Sequence, residues 1–222
     1  MRQKHEHLHA YVLHTRPFRE TSLLIDFFTK DLGRCSAVAR GTSRGKSPTR
    51  ILLQPFNALR ISVQGSGELL TLTQVEREGI PQYLETPSLI CGLYLNELLV
   101  YTLHRHDPHP CLFLAYQDAL KALPLTQSVA LREFELTLLE ALGYGIHFER
   151  IDDTQADFYY DPQQGFQKAA ISTQDCFSGK MLLEIAKKNW QEASVLSAAK
   201  RLTRLALTPL LNGKAIRSRE LW

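Results

Sequence analysis

Residues 34–50, RCSAVARGTSRGKSPTR, hold five cations, Arg34, Arg40, Arg44, Lys46 and Arg50, and no carboxylate. Cations on a loop rich in Gly, Ser and Thr suit one chemistry in particular. They hold the phosphates of a polyanion, while the small residues let the backbone come close. A solvated loop whose charges only keep the chain in solution fits the same residues. The rest of the chain is patterned too. Residues 1–50 carry ten Lys and Arg against four Asp and Glu, a balance of +6. Residues 51–199 carry ten against eighteen, a balance of −8, and residues 200–222 carry six against one, a balance of +5. A basic head and a basic tail either share one polyanion-facing surface or point apart.

Other chemistry is poorly supported. Gly41-Thr42-Ser43-Arg44-Gly45-Lys46-Ser47 looks like a phosphate-binding P-loop but has three residues between its glycines, where that motif needs four. Pro48 and the strand-like ILLQPF follow, where a helix N-terminus should receive the phosphate. Two histidine groups, His5, His7 and His9, and His104, His106 and His109 beside Cys111, invite a metal. No second half-site completes either set, so they read as a frayed end and a polar loop. Cys35, Cys91, Cys111 and Cys176 are scattered without a C-x-x-C pair, so neither a cysteine zinc site nor a disulfide framework is expected. There is no G-x-S-x-G elbow, and Asp152-Asp153 reads as a solvated loop. The expectation is a protein with no catalytic site, no cofactor and no metal.

The elements that must position the cations divide the chain in two. At 222 residues, 44% apolar and 22% charged, the chain can bury a sizeable core. No apolar run reaches the length of a membrane span, and MRQKHEHLHA lacks a signal-peptide core. A cytoplasmic location is therefore expected. The first eighty residues read as β: Leu8–Leu13, Leu23–Thr29, Cys35–Arg40, one bent strand or two within Ile51–Val63, and Leu69–Val75. Turns fall at Lys30-Asp31-Leu32-Gly33 and Gly65-Ser66-Gly67. Five short strands with such turns suit a small closed barrel, a common platform for single-stranded nucleic acid. Phe18, between Arg16 and Arg19, is either a base-stacking residue or a barrel end-cap.

From about Thr86 the period becomes helical, predicting helices at Ser88–Leu103, Cys111–Leu123 and Ser128–Leu142. Pro124 ends the second and Gly143 the third. Gly145–Ala170 is polar and irregular, an inserted loop or hairpin. Ser178–Lys188 and Ser194–Leu211 are helical again.

Four segments, AYVLHTRPFRETSLLIDFFTKDLGRCSAVARG at 10–41, CGLYLNELL at 91–99, LREFELTLLEALGYG at 131–145 and RLTRLALTPLLNGKAIRSRELW at 201–222, resemble the bacterial DNA repair family RecO. The resemblance covers nearly the whole chain. It implies an α+β fold, with a five-stranded OB-fold barrel at residues 1–80 and a mainly helical domain at 81–222. It also implies binding of single- and double-stranded DNA and annealing of complementary strands. Members act with RecR to help RecA replace single-strand-binding protein (SSB), and they bind the acidic, apolar SSB tail. The protein alone is expected to be a monomer near the nucleoid. Many members carry a four-cysteine zinc site in the segment equivalent to 145–177. Here Cys176 is that segment's only cysteine.

Within this frame the candidate DNA-binding residues are Arg16, Arg19, Arg34, Arg40, Arg44, Lys46, Arg50, Lys200, Arg201, Arg204, Lys214, Arg217 and Arg219. The candidate SSB-tail residues are Arg132, with Leu136, Leu139 and Leu142 lining a groove. The alternative for Arg132 is a core helix in which it pairs with Glu133 or Glu135. An RNA-binding barrel protein, or an adaptor for SSB and RecR that does not anneal, are the other readings of the whole chain.

Overall fold

In a computed structural model of the chain, residues 3–42, 48–79, 83–171 and 173–221 are described. Alternation of apolar residues builds the N-terminal part. Strands β1 (Gln3–Phe18), β2 (Ser22–Thr29), β3 (Gly33–Ala39), β4 (Ala58–Gly65) and β5 (Leu69–Arg77) close into a barrel in the order β1-β2-β3-β5-β4, as in an OB-fold. Every second residue points inward, so Ala10 and Val12, Ile25 and Phe27, Cys35 and Ala37, and Ile61 and Val63 meet in one core. Burial pushes the Cys35 thiol up to about 12, which suits a residue that only fills space.

Strand β2 is buried on both faces. Its outer residue Phe28 meets helix α3 (Pro110–Ala141), and helix α2 (Ser88–Thr102) packs on β1, while a short helix, α1 (Pro48–Leu52), joins β3 to β4. The Phe28 ring lies 5.4 Å from Phe113 and 6.1 Å from Tyr116, and Tyr11 on β1 lies 5.4 and 5.1 Å from the same two rings. At the centre, Asn96 is 3% exposed. Its Nδ2 donates to the Leu13 carbonyl at 2.9 Å, and its Oδ1 accepts from the Tyr116 hydroxyl at 2.5 Å. A buried amide with both ends satisfied fixes the register of helix on barrel in a way that apolar contact alone does not.

Two expectations are corrected here. Pro48–Leu52 is helix, not the start of a strand, and β4 begins only at Ala58. Proline is favourable at a first helical position, and Leu53 just beyond it drops into the barrel core. His5, His7 and His9 belong to β1, with His5 opposite Val63, rather than to a frayed end. A bulge between His5 and Leu8 leaves His7 at φ 54°.

The segment after α2 divides as its prolines direct. Thr126 has φ −144° and ψ 62°, breaking α3 two residues after Pro124, where the missing N–H and the ring disfavour a continuous helix. The compact units divide at the same place: Met1–Pro124 with Ile216–Trp222, and Leu125–Ala215. Helix α2 and the first half of α3 thus belong with the barrel by contact, whereas the pattern of the sequence puts the boundary near residue 80.

In the second unit, α3 ends with Gly143 at φ 79°, its N–H bonded to Glu140 O and that of Tyr144 to Leu139 O. That paired stop is the reason glycine stands there. The polar segment that follows forms a three-stranded sheet from β6 (Asp157–Asp161), β7 (Gly165–Lys168) and β8 (Phe177–Ser178), in the order β7-β6-β8. Phe158, Phe166 and Phe177 pack on Leu182 of α4 (Gly179–Ala186) and Leu202 of α5 (Ala193–Leu207).

The Asn96 hub can be measured by urea denaturation. Asn96→Ala strands the Leu13 carbonyl and the Tyr116 hydroxyl and is expected to cost roughly 2–4 kcal/mol. A loss under about 0.5 kcal/mol, the level of an ordinary surface change, would show that the hub does not hold the helices on the barrel.

Candidate nucleic-acid interface

Strand direction sorts the barrel's cations by end. In the β1–β2 pairing Phe18 faces Ser22, and in the β2–β3 pairing Leu23 faces Ala39. The β1–β2 turn and the exit of β3 therefore lie at the same end. Arg16 and Arg19 flank that turn, Arg40 follows β3, and Arg50 sits on α1, which bridges β3 to β4 at this end. All four are exposed. Phe18 is half-buried, with the Arg19 guanidinium 5.3 Å from its ring centroid. A ring held partly open beneath a cation can accept a stacked base while the cation reaches its phosphate. Arg44 and Lys46 lie outside the described residues.

Arg34 is at the other end, where Phe28 faces it across β2–β3. Its carbonyl accepts from the His106 N–H at 2.9 Å, and a Cβ on Gly33 would sit 2.1 Å from the Asp107 carbonyl. The α2–α3 connection thus closes against this end, and Gly33, at φ 68°, is required for so near an approach. Arg34 is half-buried, and burial lowers its pKa from the ordinary arginine value. The structure separates it from Arg40 and Arg50.

The C-terminal candidates also divide. Lys200, Arg204 and Lys214 are exposed in the second unit, and Arg217 is exposed in the first. Arg201 and Arg219 are engaged internally. Arg201 lies 4.1 Å from the Phe177 ring centroid and donates to the Gln174 and Cys176 carbonyls. It ties down the segment around Cys176. Arg219 is half-buried, 5.3 Å from the Tyr94 ring centroid and 3.3 Å from its hydroxyl.

Arg132 is 4% exposed, and its Nη2 donates to Glu135 at 2.7 Å. Glu135 is fully buried and also accepts from the Thr203 hydroxyl on α5. This is the core-helix arrangement that the i, i+3 spacing allowed. Leu139 is buried, while Leu136 and Leu142 are half-buried. Beyond the end of this helix lies a cavity of about 820 Å³, walled by Tyr144, His147, Arg150 and Tyr160. Arg150 is held across it by donation to Gln164 O at 3.0 Å. Nothing in the sequence pattern singles out these four, because Tyr160 lies on β6 while the other three precede it in the chain. Among the described residues no three His, Cys, Asp or Glu side chains gather as a metal site. Among them, too, no helix is long and apolar enough to cross a membrane.

Comparison with known proteins covers both parts. The family model "Recombination protein O N terminal" matches residues 1–79, and "Recombination protein O C terminal" matches residues 87–220. The chain is 43% identical over 226 residues to DNA repair protein RecO of Pseudoalteromonas atlantica, covering 98% of this chain and 94% of that one. It is 40% identical over 222 residues to the RecO of Photobacterium profundum, covering 96% and 94%. To the RecO of Pseudomonas aeruginosa it is 43% identical over 220 residues, covering 96% and 93%.

The burial of Arg132 sets an expectation. Arg132→Ala removes the cation that faces the buried Glu135 carboxyl, at an expected cost of about 3–5 kcal/mol in unfolding free energy. A variant that melts like the parent would mean that the pair is open to solvent and free to take a ligand.

Proposed function

The chain belongs to the recombination protein O family, and from that premise we propose that it holds DNA at the end of its barrel bearing Phe18 and α1 and anneals complementary strands there. A part in DNA repair and recombination comes with the family. The observation that carries the finer reading is the gathering of Arg16, Arg19, Arg40 and Arg50 around Phe18 at one barrel end, while the other end is closed by the α2–α3 connection. Cations at one mouth screen the repulsion between two phosphate backbones, and weak contacts let bases search for their complements. No covalent step is involved. Single- and double-stranded DNA both meet such a surface, because the charges read phosphates and not base edges. Acting with RecR, the protein would return annealing-competent strands from SSB and favour loading of RecA.

Capture of the SSB tail falls to the second unit in this reading. A tail with aspartates before a terminal Phe needs an apolar wall beside cations. Leu142 leads into the cavity beyond Gly143, where Tyr144 and Tyr160 supply the wall and Arg150 the charge. Arg132 would then act by holding α3 to α5 through Glu135 and Thr203, not by touching the peptide.

Arg19→Ala, Arg40→Ala and Arg50→Ala combined should weaken single-strand binding. The plot of log affinity against log salt should flatten by about 0.7 for each phosphate that is no longer neutralised. Arg34→Ala should change neither. Normal affinity and salt slope in the triple variant, or an equal loss in Arg34→Ala, would move the strand off this end of the barrel.

A further inference from the structure

A second cavity lies within the first unit, about 520 Å³ in volume, on the outer wall of the barrel. The annealing reading does not use it. One wall is Leu13 and Asp26 of β1 and β2, another is the Leu93, Glu97 and Val100 side of α2, and the third is the C-terminal turn with Arg217, Glu220 and Leu221. Leu221 is 58% exposed, and Leu93 and Val100 are half-buried, so apolar surface is left open to water. The turn is held firmly. Glu97 accepts from the Arg217 N–H at 3.1 Å, from the Ser218 N–H at 2.8 Å and from the Ser218 hydroxyl. The cavity is therefore built by packing and capping.

Its charge differs from that of the barrel mouth. Three carboxylates, Asp26, Glu97 and Glu220, line it with one guanidinium, Arg217, and one imidazole, His14, which pairs with Asp26 across β1–β2. The donors to Glu97 are backbone amides and a hydroxyl, so its charge is not cancelled by them. Asp26 accepts from the Ser36 hydroxyl, again a neutral donor, and the Arg34 guanidinium acts on it through the Coulomb field alone. Glu220 is exposed and has no ion pair among the described residues. Excess negative charge beside open apolar surface repels a phosphate backbone and attracts cations.

We propose that this cavity is a docking site for a protein partner, which would insert a Leu-, Ile- or Met-bearing segment flanked by Lys or Arg. Charge complementarity selects this occupant over nucleic acid. It would let the chain hold a strand at the barrel mouth and a basic partner on the barrel wall at once, since the two surfaces carry opposite sign. The site goes beyond the annealing reading and does not depend on it.

The test uses the full chain, with two probes compared by NMR titration: acetyl-Arg-Leu-Leu-Arg-amide and acetyl-Glu-Leu-Leu-Glu-amide. The basic peptide should shift the Val100 and Leu221 resonances saturably, and the acidic one should not. Glu220→Lys should weaken the basic peptide by about three- to tenfold, the range of a single charge reversal at a rim. Leu221→Ser should weaken it independently of charge. DNA affinity, measured on the same variants, should not fall. Equal shifts by both peptides, or unchanged affinity in Glu220→Lys, would overturn the proposal. So would movement of the same resonances by a thymidine oligonucleotide, which would make the cavity a nucleic-acid pocket.

Discussion

The burial of β2 on both faces is the constraint from which the first unit's other features follow. A five-stranded barrel of this order has several walls on which a ligand could lie. Here Phe28 and Tyr11 pack on Phe113 and Tyr116, and Asn96 locks the arrangement through Leu13 O and the Tyr116 hydroxyl. That covers one wall with helix. The connection between those helices then meets Gly33 and Arg34 and closes one end. The other end, spanned by α1, is left free of those helices, and Arg16, Arg19, Arg40 and Arg50 are found there. Aromatic burial thus decides where electrostatics can act.

A second principle separates cations that face solvent from cations that hold the fold. Arg132, Arg201 and Arg219 each sit against an internal partner: a buried carboxylate, a ring with two carbonyls, and a tyrosine. Burying a guanidinium is costly unless hydrogen bonds or a ring offset the lost water, and these contacts commit the three side chains to the fold. Arg201 is informative because it fastens the segment around Cys176, where a packed sheet and one guanidinium do the holding. The C-terminal charge excess read from composition therefore overstates the positive surface. Lys200, Arg204, Lys214 and Arg217 make up its exposed part.

Much of this was legible in the residues. The apolar run LLIDFFT placed β2, and having only Asp26 and Thr29 as polar positions it matches burial on both faces. Pro124 and Gly143 marked the break and the end of α3 because each has a backbone reason to be there. Short-range patterns failed where two structures share one pattern. Ile51-Leu52-Leu53 reads as strand or as helix, and Pro48 tipped it to helix. Arg132 with Glu135 at i, i+3 was visible as a pair, but its depth depends on Thr203, 68 residues away. Arg201 meets carbonyls 25 and 27 residues away. Contacts of that range are made by topology, and no local pattern records them.

The central claim is that the strand lies at the barrel end bearing Phe18 and Arg40. The direct measurement is photocrosslinking of a single-stranded oligonucleotide with a photoreactive base to the full chain, with adducts located by mass spectrometry. The account predicts adducts in the peptides holding Phe18 and Arg40. Adducts concentrated instead at Arg34 and at His104–Asp107, the closed end, would contradict it.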